Sequence, residues 1–73
     1  MKRNNYDVRA DILRLCRIGQ KKTWVVYGTN LNFKMMDRYL VQLVELGHIR
    51  VEGDLFFTSE LGNSWVSNFD KLQ

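Results

Sequence analysis

The chain has one cysteine, one histidine and no proline, and no apolar run approaches the ~18 residues that a membrane span needs. The missing apolar run excludes a transmembrane helix, and the lone Cys16 excludes an intrachain disulfide. The basic N-terminus MKRNNYDVR leads into no signal-peptide apolar region, so an intracellular, reducing compartment is expected. No second histidine or cysteine stands at metal-ligand spacing from His48, the acids are scattered singly, and no glycine-rich phosphate loop occurs. Neither catalysis nor a cofactor, metal, membrane or small-molecule ligand is therefore expected. His48, directly after a helix end, is expected to support that terminus. Internal repeats and low-complexity tracts are absent too.

What is present fits one domain spanning residues 1–73, a size at which folding buries only ~60% of the surface of the extended chain. Apolar residues make up 45% of the chain and charged residues 26%, the balance of a globular domain and not of a disordered tail. The net charge of +3 hides an asymmetry. Residues 1–38 hold nine Lys or Arg against three acids, and residues 39–73 hold two against five. Such a basic half, which includes Lys21 and Lys22 and ends in the first turns of a helix, is the electrostatic footprint that phosphate backbones attract.

That helix, Asn32 to Gly47, is the stretch around which the chain is expected to be organised. Phe33, Met36, Leu40, Leu43 and Val44 recur at helical spacing and predict one buried face. Asn32 is a suitable N-cap, and Gly47 can take the left-handed conformation that ends a helix. Lys34, Arg38, Val41, Gln42 and Glu45 form a second stripe, cationic at its start. Before it, residues 1–4 read as a loose basic arm with Asn4 or Asn5 as cap, and a first helix is predicted to about Ile18, stopped by Gly19. Val8, Ile12, Leu15 and Cys16 form its apolar face, Leu13 lies at the border, and Arg9, Arg14 and Arg17 point outward. Within that stripe Cys16 is expected to be a buried, inert thiol. Residues 20–22 read as a polar connection, with Thr23 capping a short helix that carries Trp24, Val25, Val26 and Tyr27. Trp24 is expected to pack between helices. Gly28, Thr29 and Asn30 read as a turn, and Leu31 as a hydrophobic staple.

Beyond Gly47, residues 48–51 and 55–58 bracket Glu52, Gly53 and Asp54 and predict a β-hairpin. A final helix over residues 59–73 carries Leu61, Trp65, Val66, Phe69 and Leu72 on one face, and Gly62 within it costs ~1 kcal/mol relative to alanine. Phe69 and Leu72 extend the stripe past the point where so small a domain can cover it. With Trp65 they predict the interface of a two-fold dimer.

The order helix, short helix, turn, amphipathic helix, hairpin, helix resembles the winged helix-turn-helix domains of small archaeal transcriptional regulators, some of them carried by archaeal viruses. The resemblance covers about residues 8–70, and KKTWVVYGTNLNFKMMDRYLVQLVELGHI is its most specific stretch. It implies a mostly α fold with a small β-hairpin: a three-helix core, a wing and a C-terminal helix. It further implies that Thr23 lies on or beside a small strand pairing with the wing, and that Phe57, Thr58, Glu60 and Gly62 close the wing. Asn32, Lys34, Met35, Arg38 and Gln42 would then face double-stranded DNA, and longer relatives pair through an extended final helix. The function so implied is a sequence-specific DNA-binding regulator, cytoplasmic and associated with the nucleoid. Trp24 and Gly28 depart from the pattern, standing where the family often has basic residues. The tip Glu52-Gly53-Asp54 is acidic and would be repelled by phosphates, which puts DNA contact on the recognition helix and the basic half. The alternative is a protein-interaction module with Met35, Val41 and Trp24 as its contact surface.

Overall fold

The computed structural model describes residues 3–73. These run α1 (Asn5–Leu15), a single 3-10 turn (Cys16–Ile18), β1 (Gln20–Lys21), α2 (Lys22–Thr29), α3 (Phe33–Glu45), β2 (Ile49–Glu52), β3 (Leu55–Thr58) and α4 (Glu60–Lys71). Of the expected arm, Met1 and Lys2 lie outside the described residues. Arg3 pairs with Asp11 at 2.9 Å and donates to the Thr29 carbonyl at 2.6 Å. Three helices begin where a side-chain oxygen meets the free N–H groups of the first turn. The Asn4 side chain accepts from the Asp7 N–H while the Asp7 carboxylate accepts from the Asn4 N–H, a reciprocal capping box. Asn32 accepts from the Met35 N–H at 2.7 Å, and Ser59 from the Gly62 N–H at 3.0 Å. Each such cap is worth ~1 kcal/mol.

The fourth helix starts differently. Thr23 does not cap α2 but lies inside it; Lys21 is the residue before the helix, in extended conformation and without a side-chain cap. The reason is that Gln20 and Lys21 form a strand, pairing antiparallel with Phe56 and Leu55, so α2 springs directly from a sheet. A two-residue strand is too short to show the alternation that would have marked it. The sheet therefore has three strands in the order β1-β3-β2, with Ile49 opposite Thr58 and Glu52 opposite Leu55 in the hairpin. Gly53, at φ +62, turns that hairpin. α2 continues through Gly28 to Thr29, whose buried hydroxyl donates to the Val25 carbonyl at 2.7 Å, and Asn30 in the left-handed region ends it.

The core joins Val8, Ile12, Leu13 and Cys16 to Val25 and Val26 of α2, Met36, Leu40 and Leu43 of α3, Ile49 of β2 and Val66 of α4. α1 is its hub, because α2, α4 and β3 all pack on it, whereas α3 packs on α2 and β2. Leu13, expected at a border, is wholly buried along with Ala10 and Ile12. Cys16 is equally buried, and desolvation pushes its thiol up to about 11, so it stays protonated at neutral pH. The Thr58 hydroxyl donates to the Leu13 carbonyl at 2.6 Å and pins β3 to the hub. Gly62 is not a weak point in α4. It is buried, and a Cβ there would overlap the His48 carbonyl oxygen, so glycine is what lets α4 close on the start of the hairpin.

Candidate functional site

α3 presents its buried side through Met36, Leu40 and Leu43, with Tyr39 packed at the margin. Two residues of the expected stripe are outside it: Phe33 is 47% and Val44 40% exposed. The core axis runs through Met36 and is turned toward Tyr39, and both residues lie on the flank away from it. The opposite side carries Asn32, Lys34, Met35, Arg38, Val41, Gln42 and Glu45, all exposed.

The distribution of ion pairs sorts the cations of the basic half. Arg3 pairs with Asp11, and Arg14 with Asp11 and Asp70. Lys21 lies 3.6 Å from Asp54 at the hairpin tip, and Lys22 lies 2.7 Å from Asp37. Arg17 bonds the Asn63 side chain. Among the described residues no carboxylate pairs with Arg9, Arg17, Lys34 or Arg38, and three of these four cations lie on α3 or on the side of α1 that faces it. Arg9 is the residue that sequence reasoning missed. Expected to point outward, it turns against α3, and its guanidinium donates to Gln42 Oε1 at 2.9 Å. The hairpin tip is less bare than its sequence implies, since Asp54 faces Lys21 and Glu52 accepts from Arg50 at 2.6 Å. Between α3 and β3 lies an apolar trough lined by Leu40, Val41, Val44 and Phe56, with Lys22 and Asp37 at its edge.

Trp24 corrects an expectation. It is 62% exposed and sits edge-to-face with the exposed Tyr27 instead of packing between helices. Val25 and Val26 take the core-facing side of α2 and leave no room there for the indole. The other large aromatic, Trp65, is partly buried and stacks on Phe69 with ring centroids 5.4 Å apart, flanked by Tyr6 and His48. His48 thus packs on an indole, and its pKa is lowered by burial and by the nearby Arg9 cation. Leu72 is 83% exposed beyond this cluster, and Leu61 is exposed as well.

The profile of the winged helix-turn-helix family matches residues 2–73, the whole length of the described chain. The chain belongs to that family. This winged helix is similar to Sso10a-2, a DNA-binding protein from Sulfolobus solfataricus known from its crystal structure, at 31% identity and a TM-score of 0.80, covering 96% of this chain and 81% of that one. It is also similar to the uncharacterized protein MJ0287 of Methanocaldococcus jannaschii, 29% identical over 72 residues, which cover 97% of this chain and 74% of the relative. In the terms of the family, α2 and α3 are the helix-turn-helix and β2–β3 the wing, with β1 pairing to it just ahead of Thr23. Among the described residues, no three His, Cys, Asp or Glu side chains gather closely enough to hold a metal ion. No described helix is long and apolar enough to cross a membrane.

Proposed function

We propose that this winged helix binds double-stranded DNA sequence-specifically as a transcriptional regulator, setting α3 in the major groove. The observation that carries the reading is the outward side of α3, where Lys34 and Arg38 are exposed and pair with no carboxylate among the described residues. A cation held in a strong ion pair must surrender it to reach a phosphate; these two need not. Lys34 and Arg38 reach guanine edges or phosphates, and Asn32, Met35 and Gln42 flank them. Lys21 and Lys22 add phosphate contacts, because their pairs with Asp54 and Asp37 are solvent-exposed, worth ~0–1 kcal/mol each, and exchange cheaply for a phosphate. The DNA-binding neighbour from Sulfolobus solfataricus supports DNA as the partner. Fluorescence anisotropy with duplex DNA tests the reading. If ~4–6 phosphates are neutralised, log K falls against log salt with a slope of about −4 to −5. An affinity indifferent to salt, or none at low ionic strength, sinks it.

The dimer is part of the same reading. Phe69, Leu72 and the Trp65 edge leave an apolar surface at the end of α4 that a second copy would cover, bringing two α3 helices to a palindromic site. Light scattering is expected to give twice the chain mass, and Phe69→Glu with Leu72→Glu to halve it; a wild type that remains monomeric when concentrated removes the dimer. The alternative, a protein-interaction module, draws on the exposure of Met35, Val41 and Trp24, and is favoured if duplex DNA does not bind.

A further inference from the structure

Beside the outward side of α3 lies a hollow of about 230 Å³, lined by Asn5 and Arg9 of α1 and by Met35, Arg38, Tyr39 and Gln42 of α3. Its hydrogen bonds decide what chemistry it offers. Arg9 can only donate, so its 2.9 Å bond to Gln42 occupies the amide oxygen and leaves the Gln42 NH2 unengaged. The Tyr39 hydroxyl donates to Asn5 Oδ1 at 2.7 Å, which does the same for the Asn5 NH2. Both amide oxygens thus have a partner inside the protein, while among the described residues neither NH2 group donates to one. Two guanidinium groups complete the rim, and among the described residues no carboxylate lines it. Among the described residues the Arg9 Nε–H is buried without a partner, so there the side chain rests on a single bond and has donor capacity to spare.

We propose that this hollow is an oxyanion site for a phosphate group, gripped by Arg9 and Arg38 and oriented by the amide NH2 groups of Asn5 and Gln42. Planar guanidinium forks match phosphate oxygens, and a rim with two cations and two amide donors favours a phosphate over a neutral ligand. Met35 supplies an apolar wall. The phosphate belongs either to the backbone of a duplex lying along α3, in which case the site deepens the DNA-binding reading and rests on it, or to a free phosphate-bearing molecule.

The test follows the arginine side-chain N–H resonances of the whole chain by NMR during a titration with inorganic phosphate, against sodium chloride at equal ionic strength. Saturable shifts at Arg9 and Arg38 that chloride does not produce are expected. Gln42→Glu keeps the acceptor that Arg9 uses, so the fold is retained, but it replaces the amide donor with a negative charge; phosphate affinity should fall roughly tenfold or more. Phosphate that moves neither arginine beyond the chloride control, or a folded Gln42→Glu variant that binds it as well as wild type, overturns the site. A duplex then distinguishes the sources: one that displaces phosphate from Arg9 assigns the site to the DNA backbone, and one that binds elsewhere or not at all assigns it to a free phosphate. DNA binding that survives a failed phosphate titration leaves the DNA-binding reading intact and removes the hollow alone.

Discussion

α1 and α3 are similar in length and begin with the same asparagine cap, yet the molecule uses them in opposite ways. α1 is enclosed by α2, α4 and β3, and its cations are drawn into bonds with Asp11, Asp70 and Gln42. α3 buries one narrow side, and among the described residues its cations Lys34 and Arg38 pair with no carboxylate. Here the more amphipathic helix is the one with an open outer face, and the helix with the less regular apolar pattern is the structural centre. A helix covered on several sides needs apolar residues around much of its girth, which blurs its stripe; a helix covered on one side shows a clean one.

The largest effect that tests this contrast is a cavity in the hub. Leu13→Ala is expected to cost ~2–5 kcal/mol by urea denaturation, at least as much as Leu40→Ala, since Leu13 is enclosed completely while Leu40 borders the trough beside β3. A Leu40→Ala variant distinctly less stable than Leu13→Ala would make α3 the hub. The next test sharpens the other side. Lys34→Ala and Arg38→Ala should leave unfolding within ~0.5 kcal/mol of wild type. Each should weaken DNA binding by ~1–3 kcal/mol where a base contact is lost. Unfolding by Arg38→Ala would mean that this side of α3 is structural. The smallest effect lies where the two helices meet. Burial and the Arg9 cation hold the His48 pKa below its ordinary 6.5, so the unfolded chain takes up a proton before the folded one does. Stability should therefore decline as pH falls below about 6.5, and His48→Gln should flatten that part of the profile. An unchanged acid limb in His48→Gln would show that another group controls it.

Much of this was legible in the residues. The ends of α3, the hairpin around Gly53 and the start of α4 follow from Asn32, Gly47 and Ser59, whose local chemistry acts within a few residues. The exposed side of α3 was legible too, because polar residues at helical spacing have one place to go. What escaped depends on distant neighbours. Arg9 turns inward because Gln42, 33 residues away, offers an acceptor. Gly62 looks like a helix defect until the His48 carbonyl is brought against it. Trp24 was assigned to the interior on hydrophobicity, but an eight-residue helix buries one side and two valines already fill it. Phe33 and Val44 fit the period of the stripe, and the orientation of the stripe against α1 and α2 is set by tertiary packing.

The sheet order carries a consequence for how the protein behaves in a crowded solution. Placing β1 against Leu55 and Phe56 of β3 leaves β2 as the longer open border of the sheet. β2 is four residues long and carries Arg50 and Glu52, while the other border of the sheet is a two-residue strand ending in Lys21. Short, charged borders of this kind are poor templates for the backbone of another chain. The exposed wing is in this way kept from zipping onto its neighbours, and the two residues of β1 guard a sheet border as well as launching α2.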